Sequence, residues 1–214
     1  MQILGINGSH RKGKNTAKLL EIALDAAAEL GAETKALEIT DYNIQYCKGC
    51  NKCMRQAKCS IEDDDMAMLG QMMIDSDGII LASPTYFGGV SGRMKTFIDR
   101  TRWMHMTKNL LQGKVAGILT HAGLRHGGQE MVLVFLERFL MGQGLIVVPG
   151  IEPIAEVPPE RTLISSGGIS TLYSGYGPDG LQWYRSIEED PLAVQSAQLV
   201  GQNMVRMLQR LGVK

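Results

Sequence analysis

The chain has 214 residues, 44% of them hydrophobic, and its 22 basic residues balance 22 acidic ones. This length suffices to bury the core of one domain, residues 1–214, and the even charge argues against nucleic acid or an anionic membrane as a partner. No apolar run approaches the roughly 20 residues that span a bilayer and no basic start of a signal peptide is present, so we expect a cytoplasmic protein.

Short apolar runs alternate with helical periodicities along most of the chain. Strands are predicted over residues 2–6, 34–39, 78–83, 114–120 and 145–148. Helices are predicted over 16–30, from 65 onward, and over 91–104, 128–141 and 191–211. Such alternation implies right-handed crossovers. The fold class is therefore α/β, with a doubly wound, five-stranded parallel sheet in three layers (α/β/α).

Residues 150–190 interrupt this regularity with a stretch rich in Pro, Gly and Ser. The stretch also carries four aromatic residues, namely Tyr173, Tyr176, Trp183 and Tyr184. Disordered tracts are poor in aromatics, and long ordered loops are usually functional. We therefore expect an ordered excursion that lies over a subunit interface or over the mouth of a site.

The loop between the first strand and the first helix is predicted to bind an anion. Ligands of open parallel sheets bind beyond the carboxyl ends of the strands. There, free backbone amides and the positive end of a helix attract negative charge. The loop adds two hydroxyls, one amide and three cationic side chains: Ser9, Thr16, Asn15, Arg11, Lys12 and Lys14.

A nucleoside-triphosphate site is a rival interpretation of the same loop. Gly8, Gly13 and Lys14 match the core of a P-loop, but Asn15 stands where a Ser or Thr hydroxyl should bind magnesium. No later predicted strand ends in the aspartate that would complete the metal site. A single phosphate needs no metal, so the loop favours a monophosphate cofactor such as FMN. The dinucleotide fingerprint of an NAD site is also missing.

Two further loops at the same sheet edge suit a flat heterocycle. The loop after the third strand consists of Pro84, Thr85, Tyr86, Phe87, Gly88 and Gly89. Its backbone offers hydrogen bonds and its two aromatic rings offer stacking. The loop after the fourth strand runs over residues 120–128 and contains Thr120, Ala122, Gly123 and Arg125. Its small residues admit a ring, and Arg125 could polarise the pyrimidine edge of a flavin.

All four cysteines lie in one loop, residues 42–62, after the second strand. They are Cys47, Cys50, Cys53 and Cys59. In a cytoplasmic protein such clusters are more often metal ligands or redox groups than structural disulfides. An iron-sulfur cluster, a zinc ion and a dithiol redox pair all remain open from the spacing alone. So does a loop without any metal.

These motifs together resemble the iron-sulfur flavoprotein family. The resemblance rests on Asn7-Gly8-Ser9, Arg11-Lys12-Gly13, Pro84-Thr85-Tyr86, Arg125 with Gly127-Gly128-Gln129-Glu130, and the cysteine run followed by Asp63-Asp64-Asp65-Met66. It covers residues 1 to about 150 and the last helix. His10 departs from the pattern, since a proline is common at that place, and the excursion over 150–190 is longer than expected.

The resemblance implies a flavodoxin-like fold with FMN at the sheet edge and a 4Fe-4S cluster on the cysteines. It implies phosphate contacts from Ser9, Arg11, Lys14, Asn15 and Thr16. It implies ring contacts from residues 84–88 and 120–125. The metal ligands would be Cys47, Cys50, Cys53 and Cys59, and no protein side chain would be catalytic. A homodimer or homotetramer is implied, in which cluster and flavin of neighbouring subunits come close.

The function expected from these features is electron transfer between a 4Fe-4S cluster and FMN. The resemblance suggests a ferredoxin-like donor and a small-molecule acceptor such as dioxygen or peroxide. A cluster-free NAD(P)H-dependent FMN or quinone reductase is the alternative enzyme, and a flavodoxin-like carrier is the alternative without turnover.

Three further features receive a structural interpretation. His105 and His121 are assigned no catalytic role. The acidic run before residue 66 is interpreted as helix caps. The large apolar residues at 103–106 indicate a subunit contact.

Overall fold

The computed structural model describes residues 1–151 and 168–213. The first half of the predicted excursion, residues 152–167, lies outside the described residues, as does Lys214. Within the described ranges, no helix is long and apolar enough to cross a membrane.

Strands and helices alternate as the sequence predicts, with bounds that differ by one or two residues, except that the helix predicted over 91–104 is divided into two helices at Thr101. The strands are β1 (Gln2–Asn7), β2 (Glu33–Glu38), β3 (Gly78–Pro84), β4 (Val115–Ala122), β5 (Ile146–Val147), β6 (Gly168–Thr171), β7 (Tyr173–Gly177) and β8 (Gly180–Trp183). The helices are α1 (Asn15–Glu29), α2 (Met66–Asp75), α3 (Gly92–Arg100), α4 (Arg102–His105), α5 (Gln129–Gly142) and α6 (Pro191–Arg210).

The main sheet has the strand order β2-β1-β3-β4-β5, with all pairs parallel. The order reverses beside β1, because the chain leaves β1 for β2 on one side and returns to β3 on the other. This reversal opens a crevice at the carboxyl edge, between the loops that follow β1 and β3. The predicted α/β fold with a five-stranded parallel sheet is confirmed.

The excursion adds a sixth strand that the sequence does not predict. β6 pairs parallel with the carboxyl half of β4, from Leu119↔Gly168 to Ala122↔Thr171, whereas β5 pairs with the first two residues of β4. The antiparallel hairpin β7-β8 follows directly. The outer edge of the sheet is thus completed, next to the third predicted ligand loop, by residues of the excursion.

Apolar side chains cover both faces of the sheet and pack a layer of helices against each face, which gives the predicted three layers. One cluster joins the sheet to α1 and α6, and the other joins it to α2, α3 and α5. The first pair of helices is in close contact, because a Cβ at Gly201 would lie 1.9 Å from the carbonyl oxygen of Ala23. Only glycine fits at this crossing. The two layers fix the helix that carries the first ligand loop against the sheet.

The predicted subunit contact at 103–106 is wrong, whereas the acidic run does cap α2. Trp103 and Met104 are 8% and 0% exposed and belong to the core, so they offer no surface for a subunit contact, and only Met106 of the apolar group is exposed. Asp65 is the N-cap residue of α2, but its side chain makes no cap hydrogen bond. The side chain of Asp64 accepts a 3.2 Å bond from the amide of Met66, the first residue of the helix, and is fully buried.

Candidate functional site

The first and second ligand loops are in direct contact at the carboxyl edge of the sheet. Ser91, the N-cap of α3, donates a hydrogen bond from its hydroxyl to the carbonyl of Gly8. The rings of His10 and Tyr86 lie 5.9 Å apart, tilted by 57°. The crevice at the strand reversal is therefore lined by residues of both loops.

The third loop is held to the other two by hydrogen bonds. The hydroxyls of Thr85 and Thr120 are 3.1 Å apart, and the amide of Thr85 donates to the carbonyl of His121 at 2.8 Å. The hydroxyl of Thr16 lies 2.9 Å from Nε2 of His121. The structure thus brings together the three loops that the sequence assigns to one site.

The first loop keeps its shape through its own polar groups, and one of its three cations, Lys12, forms an ion pair with Asp41. Ser9 accepts a 3.0 Å bond from the amide of Arg11, and its amide donates to Asn7 at 2.9 Å. Arg11 and Lys14 are exposed. Lys14 is the N-cap of α1 and its side chain does not cap the helix. Side-chain capping therefore does not compete with a ligand for the positive end of α1.

Asn15 has a partner that the sequence does not reveal. Its Oδ1 accepts a 3.2 Å bond from the amide of Ile187, in the excursion. Lys18, one turn further along α1, donates to Ser186 at 3.1 Å and forms an ion pair with Glu188. The excursion is therefore fastened to the start of α1, and the side-chain oxygen of Asn15 is used in that contact.

The second loop contains a strained aromatic residue. Tyr86 and Gly89 exchange two 2.9 Å backbone hydrogen bonds, and both residues between them have positive φ, 50° at Phe87 and 73° at Gly88. A bulky residue in this region is unusual and costs energy. The Phe87 side chain is fully exposed. A strained, exposed aromatic residue is typical of a functional position.

The third loop is shaped by close contact with the second loop and by one buried amide. A Cβ at Gly128 would lie 2.7 Å from Cα of Gly88, so a side chain at Gly128 would collide with the second loop. Buried Gln129 donates to the carbonyls of Leu124 and Ser170 and accepts from the amide of Gly127, at 2.9, 3.2 and 2.7 Å. The loop backbone is thereby fixed to β6.

A cavity of about 520 Å³ lies beside the third loop. Arg125 lines it, together with Tyr173 and Tyr184 of the excursion. The excursion therefore contributes aromatic side chains next to one of the ligand loops.

The residues of the three loops fit FMN. The first loop supplies two exposed cations and the positive end of a helix for a phosphate. The second loop supplies an exposed aromatic ring, and Gly128 of the third loop lies so close to Gly88 of the second that no side chain would fit between them.

The cysteine loop forms a second candidate site. Cys47 and Cys50 are exposed, Cys53 and Cys59 are half-buried, and none is in a disulfide. All four line one small cavity together with Arg100. A hydrogen bond with Ser60, 3.1 Å from Sγ to Oγ, lowers the pKa of the Cys50 thiol. A lowered pKa favours the thiolate, which is the form that binds metals.

Arg100 is the buried cation of this cavity. It is 1% exposed and makes a two-pronged ion pair with Asp64, whose side chain is fully buried. It also donates to the carbonyl of Gln45 at 2.8 Å. Its remaining nitrogen, Nε, is buried without a hydrogen-bond partner of normal geometry among the described residues. Burial alone would lower the pKa of Arg100, but Asp64 and the Cys59 side chain raise it above its usual value. A guanidinium beside four thiols suits an anionic sulfur ligand.

In the part of the chain that the structure describes, no three His, Cys, Asp or Glu side chains are close enough to hold one metal ion. The four thiols nevertheless line one cavity. The ligands of a 4Fe-4S cubane bind four different irons, so thiols that line one cavity are compatible with such a cluster.

The cysteine cavity and the flavin loops lie at opposite ends of α3. Ser91 at the start of α3 contacts the first loop, and Arg100 at its end lines the thiol cavity. The helix spans nine residues, or about 13 Å at 1.5 Å per residue. The two candidate sites are thus separate but joined by one helix.

Sequence reasoning missed three of the residues that shape these sites, Asp64, Arg100 and His121. Arg100 could have been found, because it lies three residues after Phe97 and four before Met104, on the apolar face of a predicted helix. A cation on such a face needs a buried partner. No comparable signal marks His121, since its partner Thr16 is 105 residues away.

Comparison with known proteins agrees with this geometry. Residues 1–157 match the NADPH-dependent FMN reductase family. An iron-sulfur flavoprotein of Archaeoglobus fulgidus is 33% identical over 207 residues, which cover 97% of this chain and 95% of that protein. An NAD(P)H dehydrogenase (quinone) of the same organism is 31% identical over 205 residues, covering 92% of this chain and 93% of that protein.

The solved structures agree on the fold. A flavodoxin, WrbA-like protein from Agrobacterium tumefaciens superposes with a TM-score of 0.58 at 17% identity, covering 98% of this chain and 97% of that one. Together with the sequence relatives, this establishes the family. The chain belongs to the iron-sulfur flavoprotein family, a group of flavodoxin-like, FMN-dependent oxidoreductases.

Proposed function

We propose that the protein passes electrons between a 4Fe-4S cluster held by its cysteine loop and FMN held by its three ligand loops. The observation that carries the proposal is the thiol cavity, which all four cysteines line together with the buried Arg100. The ion pair with Asp64 holds the Arg100 guanidinium in this place, and its positive charge would favour an anionic cluster.

FMN would be bound through its phosphate and its ring by different loops. Arg11, Lys14 and the amides at the start of α1 would bind the phosphate, with the hydroxyls of Ser9 and Thr16 and the amide of Asn15 completing the set. Residues 84–88 and Thr120, Ala122, Gly123 and Arg125 would surround the ring. When bound, FMN accepts one or two electrons, and the protein tunes it through charge and hydrogen bonds.

Cys47, Cys50, Cys53 and Cys59 would hold the cluster, which moves one electron at a time. Arg100 would contribute positive charge and a hydrogen-bond donor beside the cluster sulfurs. Such donors are among the factors that set the reduction potential of an iron-sulfur cluster. The separation of the two sites along α3 leaves each exposed to different partners.

The partners that fit this function are a ferredoxin-like electron donor and a small-molecule acceptor. The exposure of Cys47 and Cys50 supports electron entry at the cysteine loop, because a protein donor needs surface access. A homodimer or homotetramer would bring the cluster of one subunit toward the flavin of its neighbour. The protein would work in the cytoplasm.

A cluster-free NAD(P)H-dependent FMN or quinone reductase is the second candidate. It is favoured by the match of residues 1–157 to the NADPH-dependent FMN reductase family and by the likeness to an NAD(P)H dehydrogenase (quinone). In that case bound flavin would be reduced directly by NAD(P)H, and the cysteines would be dispensable.

Anaerobic stopped-flow reduction of the bound flavin separates the two candidates. We expect a reduced ferredoxin to reduce the flavin of the wild-type protein quickly and that of Cys50→Ser at least tenfold more slowly. Lys35→Ser, on β2, is a surface control that should behave like wild type. Fast reduction by NAD(P)H that is equal in wild type and Cys50→Ser would instead support the second candidate. Slow reduction by both donors would indicate a carrier without turnover.

A further inference from the structure

Thr16 and His121 meet beneath the first ligand loop. Thr16 is the second residue of α1 and His121 is the seventh residue of β4. Their side chains are joined by a 2.9 Å contact between Oγ1 and Nε2. Thr16 is 1% exposed and His121 is 4% exposed. The pair is therefore a fixed internal bond rather than a surface contact.

The surroundings of the other ring nitrogen of His121 indicate which group donates in this hydrogen bond. Nδ1 is buried and faces no partner within residues 1–151 and 168–213. A neutral imidazole carries one proton, so one nitrogen donates and the other accepts. Either Thr16 donates to Nε2 and Nδ1 keeps a proton without an acceptor, or Nε2–H donates to Thr16. The second arrangement avoids burying an unpaired N–H.

The direction of the bond decides what the Thr16 hydroxyl can do. A hydroxyl has a single proton. If it accepts from Nε2–H, its own proton is free to be donated to another acceptor. Burial, together with the positive charge of Arg11, lowers the pKa of His121 to about 4. The ring therefore stays neutral at ordinary pH, and the nearby Arg11 marks a place suited to an anion.

We propose that His121 is a positioning residue for the FMN phosphate. Its Nε2–H donates to Thr16 and so directs the Thr16 hydroxyl proton toward the phosphate. His121 touches no part of the cofactor and acts only through Thr16. The inference rests on the proposed binding of the phosphate by the first loop.

Riboflavin is the probe that isolates this effect, since it is FMN without the phosphate. The affinities of both flavins are measured for wild type, Thr16→Val and His121→Leu by flavin fluorescence. We expect both substitutions to weaken FMN binding about tenfold, as for one hydrogen bond to a charged group, and to leave riboflavin binding unchanged. In the Thr16→Val background, His121→Leu should have no further effect on FMN.

Two control variants keep the outcomes distinct. His121→Gln retains an N–H donor and should recover most of the FMN affinity. His105, exposed on α4 at the far end of α3, provides the control His105→Leu, which should change neither flavin. If wild type binds FMN no tighter than riboflavin, the proposed phosphate loop itself is wrong. If wild type discriminates but His121→Leu keeps the same ratio, only the role of His121 is wrong.

Nuclear magnetic resonance of the wild-type protein provides a measurement that needs no variant. The nitrogen shifts of a histidine ring distinguish the two neutral forms. We expect His121 to carry its proton on Nε2 in the FMN complex. A proton on Nδ1 in that complex would overturn the proposal, because the Thr16 hydroxyl would then donate its proton to Nε2 of His121 instead of to the phosphate.

Discussion

Asp64 and Arg100 form an ion pair in which neither side chain is exposed to solvent. Burial alone would raise the pKa of Asp64, but Arg100 and the amides of Gln45 and Met66 hold that pKa below its usual value. Removing one partner leaves the other charge buried and unpaired, which is far more costly than losing a surface pair. The pair therefore anchors the start of the cysteine loop, through Gln45, to the end of α3.

Asp64→Asn should lower the free energy of unfolding by about 3–5 kcal/mol. Urea denaturation of the two proteins measures this difference. The matched control is Asp99→Asn, which removes the exposed pair with Lys95 on α3 and should cost no more than about 0.5 kcal/mol. Similar losses from both substitutions would mean that the buried pair contributes no more than a surface one.

The same pair predicts a pH dependence of stability. A carboxyl whose folded-state pKa is depressed stabilises the fold above its unfolded pKa, about 3.9 for Asp. That contribution is lost as the pH falls from about 4 through the lower folded value. Urea midpoints from pH 7 to 2.5 should therefore fall more steeply for wild type than for Asp64→Asn. Parallel curves would contradict the depressed pKa.

Phe87 combines backbone strain with full exposure, and two substitutions separate these properties. Phe87→Gly removes both the ring and the strain, and should raise the free energy of unfolding by about 1 kcal/mol. Phe87→Ala removes the ring but keeps the Cβ and the strain, and should not stabilise. If the ring stacks on the flavin, both variants should bind FMN about threefold to tenfold more weakly. Unchanged FMN affinity would remove Phe87 from the proposed ring site.

The helix α3 relates the two sites at the scale of secondary structure. Its first turn is tied to the flavin loops through Ser91 and its last residue reaches the thiol cavity. The sites share no described side chain. A change confined to the cysteine loop should therefore leave the flavin site intact.

Cys50→Ser tests this independence. We expect the variant to lose or destabilise its cluster while it retains FMN with wild-type stoichiometry, as measured by iron analysis and by flavin release on denaturation. Cys50 is exposed, so the substitution itself should not perturb the core. Loss of FMN together with iron would mean that the cysteine loop also supports the flavin site.

Most elements could be predicted from the sequence because their apolar periodicity is local. β6 could not, since the four residues Gly168–Thr171 lie in a stretch rich in Pro, Gly and Ser and become a strand only by pairing with β4. The start of α2 also depends on a residue that is distant in sequence. The acidic run suggested caps, but the burial of Asp64 depends on Arg100, 36 residues later.

At the scale of the whole molecule, one chain contains both the crevice at the strand reversal and the thiol cavity. That the three edge loops would meet could be predicted from the topology rule for parallel sheets. The bond between Thr16 and His121 could not, because side-chain pairing across 105 residues leaves no trace in periodicity. Residues 168–190 connect two distant parts of the chain, since they contact both the start of α1 and the edge of β4.

We propose that the four cysteines hold a cluster in a protein that also binds FMN. The most direct test is to purify the protein under strict exclusion of oxygen and to measure iron, acid-labile sulfide, FMN and the absorption spectrum. The account predicts about four irons and four sulfides per chain, one FMN, and a broad brown absorption beneath the flavin bands. FMN alone, without iron or sulfide, would contradict it.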